Sequence, residues 1–338
     1  MPEFQRRSCA YGENAVQRPA ALVWSAGDDP LAIDRFELVD GAAPSFNNLI
    51  EVDRQLQTLT HIAAARDVAG LPVGAVAVGT KHGNACGVGI DASPVRAVQR
   101  MLEGDPRAIF GGSVMLNVVV DEQLASVLTD HATETRRLLD VVVAPSFTDK
   151  AVELLARKHG KCRLLANRAL GSLDRGSVDD ATRTRYVRGG HLEQPNYTFV
   201  LDLDAPDVER SGTLTDQHAE DLLLAWAIGS TSNSNTVTLV RDGQLLGNGV
   251  GQQDRVGCCT LAVQRATTAG HRTEGCVAYS DSYFPFPDGP EVLIDAGVSV
   301  VFSTTGSVRD ELVRQTFADA NVAVRQLPDA LARGFFGH

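Results

Sequence analysis

The sequence predicts an α/β fold in two consecutive halves, and three observations carry that expectation. Helix-like and strand-like segments alternate along the chain. The 338 residues fit roughly two domains of about 150 residues each. A stretch rich in Gly, Ser, Asp and Arg at 169–195 separates one run of alternation from the next, which places the division at 1–190 and 191–338. The composition supports a packed core: 43% of residues are apolar and 22% charged, unlike a disordered chain. The 31 glycines and 14 prolines follow no collagen period, and no heptad run persists.

The formal charge of −11 runs against the basic face that nucleic-acid binding requires. No apolar run is long enough for a membrane helix, and the first residues lack the apolar segment of a signal peptide. None of the six cysteines forms a Cys-x-x-Cys, so reduced thiols in a cytoplasmic protein are expected.

In chain order, apolar positions at helical spacing predict a helix over 46–67, followed by a buried strand at 74–80. A helix over 94–104 ends at Gly104, and a strand follows at 113–120. Residues 121–130 read as a helix with acidic residues in its first turn, where the dipole favours them. A strand at 138–145 stops at Pro145, a helix spans 148–160 with Gly160 at its end, and 162–167 is a strand. Beyond the boundary, 197–203 reads as a strand and 216–230 as a helix. Residues 235–243 and 244–250 form a hairpin about Asp242-Gly243. A helix over 255–270, strands at 275–280 and 298–304, and a helix over 307–320 complete the series. Ser307 is the expected N-cap of that last helix, with Asp310 at its third position. No low-complexity segment or short repeat appears, and divergent copies of one layered unit are left as an open alternative for the halves.

Four segments are too polar or too Gly-rich for core. Lys81-His82-Gly83-Asn84-Ala85-Cys86-Gly87 follows a strand, where α/β proteins place ligands. Lys81 supplies a cation for a developing oxyanion and His82 a base near neutral pH, although a polar surface loop has the same composition. Cys86 reads either as a thiol nucleophile or as a small buried residue in a tight turn. Ser232-Asn233-Ser234-Asn235 is either a source of amide donors or a turn. Gly249-Val250-Gly251-Gln252-Gln253-Asp254-Arg255 enters a helix and suits an anion nest, on weak evidence. Ser280 to Asp288 is dense in aromatics and proline with two acids; it suits a flat heterocycle or a rigid structural turn equally. No His/Cys spacing suits zinc, so no metal is expected.

Taken in order, these segments resemble the AICAR transformylase family, the folate-dependent formyltransferase half of a bifunctional purine-biosynthesis protein. Lys81 to Gly87 is similar to the family's Lys-His-x-Asn-Pro-Cys-Gly, with Ala85 replacing proline. Tyr11-Gly12-Glu13-Asn14 resembles its N-terminal Tyr-Gly-Glu-Asn, Ile109-Phe110-Gly111-Gly112 its Ala-Phe-Gly-Gly, and Asp140 with 141–145 its acidic residue before Ile-Ile-Ala-Pro. Ser234-Asn235, 249–255, 280–288, 305–311 and the final Phe336-Gly337-His338 match in the same order. The cyclohydrolase domain that usually precedes this unit has no counterpart, so a stand-alone unit is expected.

The resemblance implies two cytidine-deaminase-like three-layer domains and a homodimer whose active sites lie between subunits. It implies His82 as the base that deprotonates the attacking amine and Lys81 as the cation that stabilises the formyl oxygen, with Asn235 as a third catalytic residue. Tyr11, Gly111, Asp140, Arg255 and Tyr283 fall where the family holds its aminoimidazole carboxamide substrate. Val256, Asp288, Ser307 and Val308 fall where it holds 10-formyltetrahydrofolate, with Asp288 on the pterin. Two departures stand out. Ala10 and Gly334 occupy positions where the family has arginines that serve nucleotide binding, with Arg333, Arg6 and Arg7 close by as substitutes. The family's Asn-Pro-His-Gln is also changed, to Asn14-Ala15-Val16-Gln17. Loss of two fork-shaped cations weakens phosphate recognition, so an unphosphorylated amine acceptor is expected. The rivals are ordinary transfer to the phosphorylated ribotide and a non-catalytic folate- or nucleotide-binding protein.

Overall fold

A computed structural model describes residues 4–337, so His338 of the C-terminal motif lies outside the described residues. The chain opens with a hairpin of β1 (Phe4–Cys9) and β2 (Ala20–Ser25), then β3 (Glu37–Asp40). The first half runs α1 (Phe46–Val68), β4 (Ala75–Lys81), β5 (Asn84–Asp91), α2 (Pro94–Gly104), β6 (Ser113–Leu116), α3 (Glu122–Asp130), β7 (Val141–Ala144), α4 (Asp149–Leu155) and β8 (Arg163–Ala166). A second hairpin, β9 (Thr182–Val187) with β10 (Gly190–Pro195), precedes β11 (Glu209–Ser211). The same order then recurs: α5 (Asp216–Gly229), β12 (Val237–Arg241), β13 (Gln244–Gly249), α6 (Arg255–Thr268), β14 (Val277–Ser280), α7 (Asp288–Asp295), β15 (Val300–Thr305), α8 (Asp310–Asp319) and β16 (Ala323–Pro328), with a last turn α9 (Asp329–Ala332).

Polar caps set where several helices begin. Ser45 and Asn48 form a reciprocal capping box on α1, and Asp121, Thr148, Thr215 and Asp254 each accept a backbone N–H at the start of their helices.

Twelve strands form one mixed sheet in the order β11-β16-β15-β14-β12-β13-β5-β4-β6-β7-β8-β3. Its two halves meet edge to edge where Gln244 of β13 pairs antiparallel with Gly89 of β5. Each half repeats one pattern outward from that seam: an antiparallel hairpin, an antiparallel neighbour, two parallel strands and an antiparallel edge. Period-two alternation then divides the core. Val76, Val78, Val141, Val143, Val277 and Phe302 face α1 and α5, which lie together over both halves. On the opposite face, Ala77, Val114 and Val142 pack on α2, α3 and α4, while Leu239, Ala278 and Val301 pack on α6, α7 and α8. The result is a helix–sheet–helix layering. Glycine permits its closest approach at the seam: a Cβ on Gly87 would meet the Met101 carbonyl at 2.0 Å, and one on Gly249 the Cys258 carbonyl at 2.1 Å.

Several expectations are corrected. Residues 169–195, expected only as a separator between the halves, contain the whole β9–β10 hairpin. Residues 197–203 form no strand; Leu201 is buried against the α1–α5 core without a sheet neighbour. The helix expected to reach Gly160 ends at Leu155. Arg157 turns back to the Leu139 carbonyl and the Asp140 carboxylate, and His159 adopts a left-handed φ of 62°. The strand expected at 113–120 stops at Leu116, and Asn117 instead folds its amide over Val76 N–H and the Gly74 carbonyl. The last long helix begins at Asp310, not Ser307. The Asp310 carboxylate accepts the Gly306 and Ser307 N–H groups, while the Ser307 hydroxyl accepts Arg309 N–H.

Candidate active site

Strand directions decide which residues can share a site. β4 ends, β6 and β7 begin, β12 begins, and β13, β14 and β15 end at the same edge of the sheet. Lys81 ends β4 and His82 follows it, Gly111 and Asp140 precede β6 and β7, and Asn235 precedes β12. Arg255 and Val256 follow β13, Tyr283 and Asp288 follow β14, and Ser307 and Val308 follow β15. Tyr11 joins the same edge, since its carbonyl accepts the Phe46 N–H at the start of α1. The topology therefore brings every predicted site residue to one rim of the molecule, in three groups.

The first group surrounds the turn between β4 and β5. Lys81 pairs with Asn84, and both residues between them are left-handed, His82 at φ 53° and Gly83 at φ 72°, as a two-residue hairpin turn requires. His82 is exposed. Lys81 Nζ donates to the Phe110 carbonyl at 2.8 Å, and a Cβ on Gly111 would lie 3.3 Å from that nitrogen. Gly111 therefore keeps the space beside the ammonium open. Asp140 N–H bonds the Gly112 carbonyl, and its carboxylate meets Arg157 at 3.2 Å. Lys81, His82, Asn84 and Cys86 line a cleft of about 240 Å³ that reaches Asn248 and Arg265.

Cys86 does not fit a nucleophile. Its thiol donates to the Gly79 carbonyl at 3.6 Å, and burial pushes it up to about 12, with the Asp105 and Glu51 carboxylates acting in the same direction. The small-residue reading of Ala85-Cys86-Gly87 holds in part: the segment lies within β5 rather than in a turn.

The second group is a buried polar knot. Arg255 pairs with Asp281, donates to Asn235 Oδ1 at 2.9 Å and donates to the Thr236 carbonyl at 3.2 Å. Asp281 also accepts the Ser234 hydroxyl at 2.7 Å and Thr236 N–H at 3.2 Å. Asn235 Nδ2 donates to the Gln252 carbonyl at 3.0 Å, so both ends of this amide have partners within the chain. The anion nest expected at 249–255 is corrected here: the Asp254 carboxylate takes Gly257 N–H at 2.6 Å, placing a negative group at the helix start.

The third group gathers loops after β14 and β15. The Tyr283 ring lies beside Gly306, Phe284 is buried in the core, and the Arg309 guanidinium stacks 4.3 Å from the Phe286 ring centre. Asp288 opens α7, where its carboxylate accepts Gly289 N–H, and Val308 is fully exposed. Val256 is half-buried in the first turn of α6.

The structure adds residues that the sequence reading missed. Glu51 accepts Gly83 N–H at 3.0 Å and the Thr80 hydroxyl at 2.6 Å. Arg54, buried in α1, donates to the Gly83 carbonyl at 2.8 Å, the Thr231 carbonyl at 2.7 Å and Asn233 Oδ1 at 3.2 Å. Burial pushes its guanidinium down to about 9, which leaves it charged at neutral pH. Phe336 lies between Arg54 and Arg183, each guanidinium carbon 3.6 Å from the ring centre. Charged residues at 51 and 54, one helical turn apart at the edge of the largely buried stretch 55–65, were the available signal.

The two arginine-to-small departures differ in kind. Ala10 bonds only through its backbone, N–H to the Pro44 carbonyl. Gly334 is packed: a Cβ there would stand 2.3 Å from the Tyr197 hydroxyl oxygen and 3.0 Å from Ser230 Cβ. Placing an arginine at 334 by substitution, as a way to restore a phosphate clamp, is therefore blocked on this path of the chain. Arg333 leans on Asp329 at 3.6 Å, Arg7 donates to the Ile33 carbonyl at 3.2 Å, and Arg6 lies on the exposed strand β1. Among the described residues, no group of three His, Cys, Asp or Glu is placed to hold a metal ion, and no helix is long and apolar enough to cross a membrane.

Comparison with known proteins gives a consistent pattern. The family described as AICARFT/IMPCHase bienzyme matches residues 2–265. The bifunctional purine biosynthesis protein PurH of Anoxybacillus flavithermus is 34% identical over 317 residues, covering 92% of this chain and 56% of that protein. The PurH of Aquifex aeolicus is 30% identical, covering 96% and 58%. That of a Synechococcus strain is 34% identical, covering 90% and 54%. The chain spans about half the length of the curated relatives it matches. Among solved structures, the apo dCMP deaminase from cyanophage S-TIM5 aligns with 32% of this chain and 94% of its own, at 18% identity and a TM-score of 0.23, too slight to carry an argument.

Proposed function

Because this chain belongs to the AICARFT/IMPCHase bienzyme family, we propose that it transfers a formyl group from 10-formyltetrahydrofolate to the amine of an aminoimidazole carboxamide or a related acceptor. One observation carries the reading: the exposed His82 stands in a two-residue turn that Lys81 opens, on the sheet edge that also holds Asn235 and Arg255.

The chemistry suits those groups. The acceptor amine is a poor nucleophile, because ring and carboxamide withdraw its lone pair. As nitrogen attacks the formyl carbon, His82 takes an N–H proton, which contributes about 10²–10⁴-fold. The carbonyl oxygen gathers negative charge, and Lys81, with one of its three protons committed to Phe110, has two left to offer it. Collapse of the tetrahedral intermediate breaks the bond from carbon to the folate N10, which leaves with a proton supplied by His82. The Arg255–Asp281 pair holds Asn235 and the base of the 280–288 loop in place for both substrates.

Tyr11, Gly111, Asp140, Arg255 and Tyr283 are proposed to contact the acceptor, and Val256, Asp288, Ser307 and Val308 the folate. The acceptor proposed is one without a phosphate, since position 10 offers no cation, a side chain at 334 would run into Tyr197, and Arg333 leans on Asp329. A homodimer with shared sites is proposed as well, supported by the exposed Tyr186 and Leu192 on the protruding β9–β10 hairpin. A cytoplasmic location is proposed with the same reading. The division into cytidine-deaminase-like units 1–190 and 191–338 is supported by the repeated order of elements on either side.

The test is competitive calorimetry and a formyl-transfer assay with ribotide, riboside and free base. The proposal expects transfer to one of them, with the riboside or base bound at least as tightly as the ribotide. No transfer to any amine overturns the activity. A ribotide preference of about tenfold or more, roughly 1.4 kcal/mol, overturns the unphosphorylated acceptor.

A further inference from the structure

We propose that Arg54 is a positioning residue for His82: together with Glu51 it holds the His82–Gly83 turn in its left-handed conformation and ties that turn to the Asn233–Asn235 loop of the other half. The inference rests on the reading of His82 as the proton acceptor.

A histidine at positive φ is uphill for an L residue, so an ungripped turn drifts toward other conformers. Here both polar groups of Gly83 are claimed. Its N–H donates to Glu51 Oε1 at 3.0 Å, and its carbonyl accepts from Arg54 Nε at 2.8 Å. The two side chains stand three residues apart on α1 and so reach the two peptide groups that flank the Gly83 Cα from one helix face. Arg54 Nη2 then crosses to the second half through the Thr231 carbonyl and Asn233 Oδ1, while Asn233 N–H donates to Asn84 Oδ1 at 3.1 Å. The plane of the guanidinium is fixed by the ring of Phe336, and the backbone N–H of that residue donates to the Ser232 carbonyl. Only a rigid fork with several donors can make these bonds together, and lysine cannot.

Two further observations separate this role from simple packing. Arg54 Nη1 is buried without a hydrogen-bond partner, a costly arrangement for a residue kept for stability alone. The twin turn at Asp242-Gly243 is held by Asp221 of α5, and the place equivalent to Arg54 there is the buried Leu224. The arginine is present only where the turn carries His82.

The experiment compares Arg54→Ala and Arg54→Lys with Arg183→Ala, which removes the other cation from Phe336 without touching the turn. Amide hydrogen exchange is read at Gly83, with Gly243 as an internal control for overall opening. In Arg54→Lys, Gly83 is expected to exchange about tenfold faster or more while Gly243 is unchanged. The kcat of formyl transfer should fall more than about tenfold with acceptor KM within about threefold, and Arg183→Ala should leave kcat within about twofold. Equal acceleration at Gly83 and Gly243, or no change at Gly83, overturns the proposal, as does an equal loss of kcat in Arg183→Ala. Arg54→Lys decides the matter if Arg54→Ala does not fold. Absence of formyl transfer in the unmodified protein would overturn the function instead, and the Gly83 exchange would still judge the clamp.

Discussion

Glu51 and Asp221 occupy the same place in two helices and grip two equivalent turns at opposite ends of one sheet. Each stands five residues after the first residue of its helix, α1 or α5. Glu51 accepts the N–H of Gly83, and Asp221 accepts the N–H groups of Asp242 and Gly243 at 2.8 and 2.7 Å. The repeat thus extends from element order to single hydrogen bonds. The two ends have diverged in what the turn displays: His82 beside Lys81 at one, Asp242 beside Arg241 at the other.

This divergence separates stability from catalysis. Asp221→Asn turns an amide NH2 toward one of the two turn N–H groups, leaving that donor without an acceptor, and should cost about 1–3 kcal/mol, the penalty of an unsatisfied buried donor. Its kcat should be unchanged. Glu51→Gln should cost a similar amount but also lower kcat, because the loosened turn carries His82. Urea denaturation and steady-state kinetics of both variants check this; a large catalytic loss in Asp221→Asn contradicts it.

The pH dependence of Asp221 has a definite sign. Burial holds its carboxyl above the ordinary 3.8, outweighing the Gly243 and Asp242 N–H groups that act the other way. The folded state therefore binds this proton more tightly than the unfolded state does. The contribution of Asp221 to stability is full below about pH 3.8 and declines as pH rises through the raised value. The difference in unfolding free energy between the natural protein and Asp221→Asn should shrink from pH 3 toward pH 7. Growth of that difference with pH would show the sign to be wrong.

Cys86 offers a simpler test. Its thiol is pushed up to about 12, so almost none is thiolate at neutral pH. Cys86→Ser, which can still donate to the Gly79 carbonyl, should keep kcat within about threefold. A loss of two orders of magnitude would return the thiol to the mechanism.

What the sequence made legible follows from the range of the forces involved. The long helices at 46–68, 216–229 and 255–268 carry strong periodicity or clear caps, and each was readable within about a residue or two. The turn at Asp242-Gly243 was readable because its chemistry is local. The β5 strand was missed: Ala85-Cys86-Gly87 and Gly89 lack β-branched side chains, since α2 presses too closely for any Cβ at the glycines. Residues 197–203 alternate like a strand but find no sheet edge to join. The rim of candidate residues could be drawn up from motifs, yet Arg54 and Glu51 act through Gly83, 29 and 32 positions away, and no local pattern reports such a bond.

Gly334 provides the last prediction, because it decides whether the missing cation there is an accident of sequence or part of the packing. Tyr197 is half-buried with its hydroxyl oxygen fully enclosed, and its ring stacks on His61 with ring centres 5.8 Å apart, so it cannot easily retreat from a side chain at 334. Gly334→Ala forces a Cβ to within 2.3 Å of its hydroxyl oxygen and should cost about 1–3 kcal/mol or more, as overpacked sites do. Tyr197→Ala alone leaves a cavity and should cost about 3–5 kcal/mol. In the double variant the clash with Tyr197 is gone and only Ser230 Cβ, at 3.0 Å, still crowds the new methyl. The two substitutions should therefore couple favourably by about 1–3 kcal/mol in a double-mutant cycle read by urea denaturation. Additive costs would mean that the chain around 334 shifts freely. An arginine could then be accommodated at that position, and the packing argument against a phosphate clamp at 334 would fail with it.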